Sequence, residues 1–339
     1  MLSVIVPAYN SERLIERTLD SIVKQKDNLD MEIIVMDDCS RDKTGKVARK
    51  FLSRQDVRYK VVRNAKNLGL AKSVNRGMGL SDKKNNFVMI VEDDTALKGE
   101  NWLKRAMKHF KDKRVAVVMG KYLMPRLDDL NIISKFCSLK YFRRSIRDDG
   151  VYDVSFIEGR CSIYRKDLLI KYMFDSHYRV SGEEQDLAYR LNSSCYRIIY
   201  DSSLTYESLL SNQQNSYVRV LKHEVVYATS QVSLNLRYWN SIKRGTSDNN
   251  LTSRMEFRLI QVLNVLLTIL LLLLQKLDIL ALVFLLRFIY SANSYYQIHK
   301  NYLEVVLFSL LDYFTDFAYF YGVLIGGWKV FLEVLQKKK

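Results

Sequence analysis

Proline and cysteine are scarce in this chain of 339 residues. Only Pro7 and Pro125 occur as prolines, and neither an internal repeat nor a low-complexity stretch is visible, so repeat architectures and long Pro-rich linkers are excluded. The four cysteines, Cys39, Cys137, Cys161 and Cys195, stand far apart with no C-x-x-C pair. That spacing offers neither a zinc site nor a redox motif and fits reduced thiols. No helix-turn-helix, finger or aromatic RNA-binding signature accompanies the formal charge of +16, so the positive field points to an anionic membrane surface or a phosphorylated substrate and not to nucleic acid. The first residues run into a strand pattern without a basic leader or cleavage site, from which the N-terminal domain is expected to be cytoplasmic.

What is present is a regular alternation. Val4-Ile5-Val6, Ile33 to Met36, Tyr59 to Val62, Phe87 to Val91 and Val115 to Val118 read as short apolar strands bounded by polar residues. Between the first two, Leu14, Ile15, Thr18, Leu19, Ile22 and Val23 repeat at helical spacing after an Asn10-Ser11 cap signal. Strand, helix, strand repeated in this way builds an α/β fold with a mixed, mainly parallel sheet and helices on both faces. Such sheets bind ligands at the carboxyl ends of their strands.

Composition changes near residue 250. Phe257 to Leu274 and Ile279 to Tyr296 are almost continuously apolar and read as a membrane hairpin over about 257–296. Arg287 within it must face a partner, a cavity or the interface. A third stretch, 303–335, places Asp312 and Asp316 one turn apart on one face and either spans the bilayer or lies in its interface. The expected organisation is therefore 1–240 as the soluble domain, halved near 120 into nucleotide-binding (1–120) and acceptor-binding (121–240) parts, with 241–256 as linker and 257–339 as membrane region. Lys337-Lys338-Lys339 favours a cytoplasmic C-terminus and hence an even number of crossings.

Polar residues recur where the strands end: Pro7, Tyr9 and Asn10; Asp37 and Asp38; Glu92, Asp93 and Asp94. An acidic run next to a phosphate-bearing ligand would repel it without an intervening cation, so Glu92-Asp93-Asp94 suggests a Mn²⁺ or Mg²⁺ site with oxygen ligands. The alternative is a polar loop capping the next helix.

With V-I-V-P-A-Y-N at 4–10, D-D-C-S-R-D-K-T at 37–44, N-L-G-L-A-K-S-V-N-R-G at 67–77, V-E-D-D-T at 91–95 and G-E-E-Q-D-L-A-Y-R-L at 182–191, residues 1 to about 230 resemble the family 2 glycosyltransferases of the GT-A fold. The resemblance implies that Pro7 and Tyr9 line the base, that Asp38 accepts from a pyrimidine or guanine N–H, and that Lys72 lies near the ribose or diphosphate. It makes Asp94 the direct metal ligand, puts Asp93 or Glu92 at the ribose or behind the metal, and makes Glu184 the general base, with Glu183 and Asp186 beside it on the acceptor side. Glu92 and Glu184 stand where the family more often has aspartate. Glu207 falls where many relatives place a metal-binding histidine and is the expected second ligand. His223 reads as a packing or surface histidine. Each assignment has a plainer reading. Asp37-Asp38 would cap the helix starting near Thr44, Lys72 would be a solvated helix lysine, and the acids at 183–186 would favour a helix dipole.

No Gln-x-x-Arg-Trp signature of the processive synthases occurs near Gln213-Gln214-Asn215, which favours transfer of one sugar. Between Asn131 and Asp149 apolar residues interleave with Lys140, Arg143, Arg144 and Arg147, as in a helix lying on anionic headgroups or an ordinary surface helix. The resemblance thus implies a multi-pass membrane enzyme, cytoplasmic in its catalytic part, that inverts configuration as it moves a sugar from a UDP- or GDP-sugar to a lipid-linked or membrane-surface glycan. Polyprenyl phosphate is the alternative acceptor. A catalytically silent, membrane-tethered sugar-nucleotide-binding scaffold is the alternative from another class.

Overall fold

The computed structural model describes residues 1–26, 29–124, 126–128, 130–145, 147–178, 182–209, 216–238 and 249–337. The expected joint at 241–248, the segment Gln213-Gln214-Asn215, and Lys338 and Lys339 lie outside the described residues. The chain divides into two compact units, Met1–Pro125 with Arg147–Leu210, and Arg126–Ile146 with Ser211–Lys339. The helix expected within the acceptor-binding half thus groups with the C-terminal helices.

In the first unit the chain runs β1 (Leu2–Ala8), α1 (Ile15–Val23), β2 (Met31–Asp37), α2 (Thr44–Leu52), β3 (Arg58–Arg63), α3 (Leu70–Leu80), β4 (Phe87–Val91), β5 (Thr95–Leu97), α4 (Trp102–His109) and β6 (Val115–Tyr122). After the excursion to α5 (Ile132–Ser145) it continues through β7 (Val151–Val154), β8 (Cys161–Arg165), α6 (Lys166–Tyr172), α7 (Glu183–Ser193) and β9 (Arg197–Ser208). The sheet order is β3-β2-β1-β4-β8-β6-β9-β5, with β7 also on β9. β3, β2, β1 and β4 are parallel to one another, and β6 is parallel to β9. β8 runs antiparallel between β4 and β6, which reverses the chain beside the acidic end of β4.

β1 and β2 are buried at every position, as expected of strands covered on both faces. Ile5, Ile34 and Met36 pack with Ala71, Val74 and Met78 of α3 and with Val88 and Ile90 of β4 in one core. β3 lies at the sheet edge, and its Arg58, Tyr59 and Lys60 are exposed accordingly. α1 starts later than the Asn10-Ser11 signal suggested. Asn10 takes a left-handed conformation and its side-chain oxygen accepts from the Arg41 amide, 2.7 Å away, so the cap residue ties two loops together instead.

The second unit consists of α5, α8 (Tyr217–Arg237), α9 (Asn249–Leu273), α10 (Leu277–Tyr296) and α11 (Tyr302–Lys337). Phe136 and Leu139 of α5 share a core with Val220, Tyr295, Val305 and Phe308. Arg287 finds the partner its position demanded: its Nε lies 2.9 Å from Asp316 and its guanidinium 3.3 Å from Asp312. Arg143 also pairs with Asp312, at 2.9 Å, and Lys140 with Glu224, at 3.0 Å. α5 is therefore neither a headgroup helix nor an ordinary surface helix, because Lys140 and Arg143 turn inward onto acids of neighbouring helices. Leu277–Tyr296 is, among the described residues, the one helix long and apolar enough to cross a membrane, and Gln261–Leu273 is a shorter apolar run. Leu266, Leu270, Leu282 and Leu286 are exposed on these helices.

The β6–β9 register breaks after Gly120, where β6 moves on one residue while β9 moves from Asp201 to Thr205, and a Cβ added at Gly120 would stand 1.8 Å from the Leu204 carbonyl oxygen. Gly120→Ala should therefore destabilise the protein by at least about 1–3 kcal/mol through backbone displacement. Gly79→Ala, on α3 with nothing within 4 Å, should be neutral or stabilise by up to about 1 kcal/mol. Thermal unfolding of the full chain in detergent, compared for both variants, checks the contrast.

Candidate active site

The site is assembled where β1, β2 and β4 end and β8 begins. At the end of β2, Asp37 accepts the Ser40 amide at 2.8 Å and the Arg63 guanidinium at 2.8 Å. Neither it nor Asp38 serves α2, whose first turn is held by Asp42 through the Thr44 amide at 3.0 Å. Asp38, buried, accepts the amides of Leu68 and Gly69 at 2.8 and 2.9 Å and the Asn64 side chain at 2.7 Å. It thereby pins the loop into α3. A carboxylate offers about four acceptor positions, and these three donors leave one beyond them. Pro7 is buried within β1, Tyr9 is exposed just beyond it, and Lys72 is exposed on the first turn of α3.

Asp93 closes this edge by accepting the Tyr9 amide at 2.8 Å. Burial, reinforced by the neighbouring Asp94 carboxylate, pushes its carboxyl up to about 7. Asp94 points elsewhere. Its two oxygens lie 3.1 and 3.3 Å from the Arg160 guanidinium, and the Ser208 hydroxyl is 3.4 Å from one of them. Arg160 also approaches Glu92 at 3.6 Å and donates to Ser208 at 3.1 Å. The contact is built into the sheet, because the Glu92 amide donates to the Arg160 carbonyl at 3.0 Å and extends the antiparallel β4–β8 ladder by one bond.

Glu184 reaches the same place from the first turn of α7. Its carboxyl packs over Gly159, where a Cβ would stand 2.0 Å from Oε1, so a side chain at that position would displace the Glu184 carboxyl. Burial, with the Glu183 and Glu92 carboxylates adding to it, drives the Glu184 carboxyl well above the ordinary range. Burial likewise raises Glu183 to about 7. The apolar side of this crevice is formed by Leu70, Ala71, Val74, Ile90, Tyr164 and Phe174. A carboxyl with a raised proton affinity against an apolar wall is suited to taking a proton.

Two expected residues stand apart. Asp186 is fully buried and bound to Arg190 one turn on, at 2.5 Å, so it holds α7 together and does not face the crevice with Glu184. Glu207 pairs with Lys98 at 2.6 Å. It lies opposite Ala96 in the β5–β9 register, whereas Ser208 lies opposite Thr95, and successive residues of a strand face opposite ways. Ser208 therefore meets Asp94, and Glu207 lines a separate open cavity of about 1200 Å³ with Arg17, Lys98 and Lys104. Gly159, Arg160 and Ser208 were missed from the sequence. Cys161 to Arg165 is short enough to escape notice as a strand, and nothing local marks the residues before it.

Among the described residues no group of three His, Cys, Asp or Glu side chains is placed to hold a metal ion. The donor set beside Asp94 is nonetheless all oxygen, with Glu92 and the Ser208 hydroxyl, and a side-chain cation already sits against it. Hard cations accept such donors and complete their shell with phosphate oxygens and water. The residues fit an ion that arrives with a diphosphate better than one held by protein alone.

The family model for glycosyl transferase family 2 matches residues 3–173. The chain is similar to the glycosyltransferase GlyG of Streptococcus pneumoniae, 33% identical over 122 residues, which is 36% of this chain and 39% of that protein. It is also similar to an uncharacterized glycosyltransferase of Haemophilus influenzae, 26% identical over 262 residues, 71% of this chain and 78% of that protein. The matched stretch thus spans well under half of the first relative's length. Among solved structures, a mannosyltransferase from Pyrobaculum calidifontis, PcManGT, in complex with GDP-Man and Mn²⁺, superposes with a TM-score of 0.61 at 17% identity, over 97% of this chain and 87% of that one. This likeness is one of fold, GT-A; in this chain Asp38 and Asp94 stand just beyond the carboxyl ends of β2 and β4, on one edge of the sheet. With its motifs on that edge and the model matched over half its length, the chain belongs to glycosyl transferase family 2.

Proposed function

We propose that the protein is an inverting, non-processive glycosyltransferase that moves one sugar from a UDP- or GDP-sugar to a lipid-linked or membrane-surface glycan. The observation that carries the reading is the meeting of Asp94, Glu92 and Glu184 around the Gly159-Arg160 turn. A nucleotide-sugar donor is supported by the neighbour solved with GDP-Man, and a membrane acceptor by the apolar helix Leu277–Tyr296 carried on the same chain.

In this reading Tyr9 and Asp38 hold the base, and Asp93, tied to the Tyr9 amide, sits near the ribose. Lys72 supplies positive charge near the diphosphate. Asp94, with Glu92 and Ser208, would hold Mn²⁺ or Mg²⁺, which when bound neutralises charge on the departing nucleoside diphosphate. Glu184 takes the proton of the acceptor hydroxyl as that oxygen attacks C1 from the face opposite the nucleotide. The bond from C1 to the diphosphate oxygen breaks with its electrons leaving on the phosphate, and one displacement inverts the anomeric centre. With polyprenyl phosphate as acceptor the attacking oxygen is already anionic, and Glu184 would only orient it. Membrane attachment through more than one crossing, with the catalytic unit cytoplasmic, belongs to the same proposal, as does the division at about 120 and 240.

Nucleotide release measured in membranes with Mn²⁺ across a panel of UDP- and GDP-sugars should identify a donor, whereas release with none would favour the silent scaffold. Asp94→Ala should lower transfer by about 10²–10³-fold, and intact transfer would remove the metal role from that residue. Glu184→Gln should lower transfer to a hydroxyl acceptor by about 10²–10⁴-fold, while retained transfer would point to a phosphate acceptor.

The pH dependence follows from the raised Glu184 carboxyl. A base must be ionised, so transfer should rise with pH through a value well above the usual carboxylate range, and this limb should vanish in Glu184→Gln. The sign for stability is the reverse. A buried acid with a raised folded-state pKa contributes stability fully below its unfolded pKa and loses it as pH climbs through the folded value. Glu184→Gln should accordingly melt close to wild type at acid pH and above it at alkaline pH.

A further inference from the structure

Asp94 and Glu92 are partly exposed carboxylates beside Glu183 and Glu184, and among the described residues Arg160 is the cation paired with the first two. Like charges so placed would repel each other and an incoming diphosphate more strongly still. Arg160 does not reach them by a chance swing of a long side chain. Its backbone carbonyl is fixed by the Glu92 amide at 3.0 Å, its neighbour Gly159 is pressed against Glu184, and its guanidinium bonds both Asp94 and Ser208 while lying 6.0 Å from the centre of the Tyr122 ring. Asp94 and Ser208 are the groups that would hold a divalent ion, and the Arg160 guanidinium already bonds both.

Resting on the reading above, we propose that Arg160 is a built-in counter-ion of the donor site, holding Asp94 and Glu92 before the donor arrives and competing with the divalent ion for Asp94. The metal and diphosphate displace the guanidinium from Asp94 together, because the diphosphate offers Arg160 a replacement anion that the free metal does not. The site thereby discriminates against metal alone and couples ion binding to nucleotide binding. Arg160 is a positioning residue here, since it acts on the reaction through Asp94.

The test is binding, measured apart from transfer. Mn²⁺ alone is titrated into the purified full chain in detergent, followed by the electron paramagnetic resonance of free Mn²⁺, and UDP and GDP are titrated by calorimetry with and without Mn²⁺. Arg160→Gln should bind free Mn²⁺ about tenfold tighter and lose a similar factor in metal-free nucleotide affinity, the order of one charge-assisted hydrogen bond. Arg160→Lys, which keeps the charge, should fall between. Thermal unfolding identifies an Arg160→Gln that fails to fold, in which case Arg160→Lys against wild type decides, since it too should bind free Mn²⁺ more tightly. Unchanged or weaker Mn²⁺ binding in the folded variants overturns the proposal. If Asp94→Ala still abolishes Mn²⁺ binding in that event, the metal reading survives without Arg160. If wild type with nucleotide binds no Mn²⁺, the metal reading itself fails and takes this inference with it.

Discussion

Carboxylates drawn partly out of water repel one another, and each costs free energy unless a cation or a proton neutralises it. The carboxyl edge of the first unit is arranged around that constraint. Asp94 is paired with Arg160, which also approaches Glu92, while burial makes Glu92, Glu183 and Glu184 hold their protons more tightly. Both solutions depend on β8 running antiparallel to β4, because only a reversed strand delivers the Gly159-Arg160 turn to the end where the acids emerge. A parallel strand there would have offered its other end.

The second unit solves the same problem among apolar helices. Arg287, Arg143 and Lys140 lie against Asp312, Asp316 and Glu224, three cations with three anions. Removing one member of such a set is far more costly than the set is stabilising, because the orphaned charge stays buried. The arrangement fixes which faces of α5, α8, α10 and α11 meet, something that exposed leucines on a uniform apolar surface cannot do.

Much of the first unit was legible in the sequence. Five strands were visible as runs; in β1, β2, β4 and β6 both faces of a central strand are covered, so burial writes itself into consecutive residues, whereas β3, at the edge, showed only through Tyr59, Val61 and Val62. β5, β7, β8 and β9 were not read. β5 has three residues and β7 is exposed at two of its four positions, so neither carries a run, and β9 mixes buried and half-exposed positions along its length. Asp38, Asp93, Asp94 and Glu184 stood out as candidates because they follow apolar runs or sit in a recognisable order. Ser208 was displaced by its neighbour Glu207, since acid chemistry was the only signal and strand facing cannot be read from residue type. Asp186 was taken for part of the acceptor side because its partner Arg190, one turn away, leaves no mark that separates a structural pair from a functional acid.

The sequence by itself determined the α/β alternation, the family, the acidic strand ends, the apolar helices of the C-terminal part and the need of Arg287 for a partner, because these follow from local periodicity and from the cost of burying charge. Tertiary structure alone decided which cation answers Asp94, which of Glu207 and Ser208 faces it, and that α5 turns its lysine and arginine inward. Those outcomes depend on strand register, on chain direction and on charges supplied by residues distant in the chain, and none of the three is encoded within a few residues of the groups they govern.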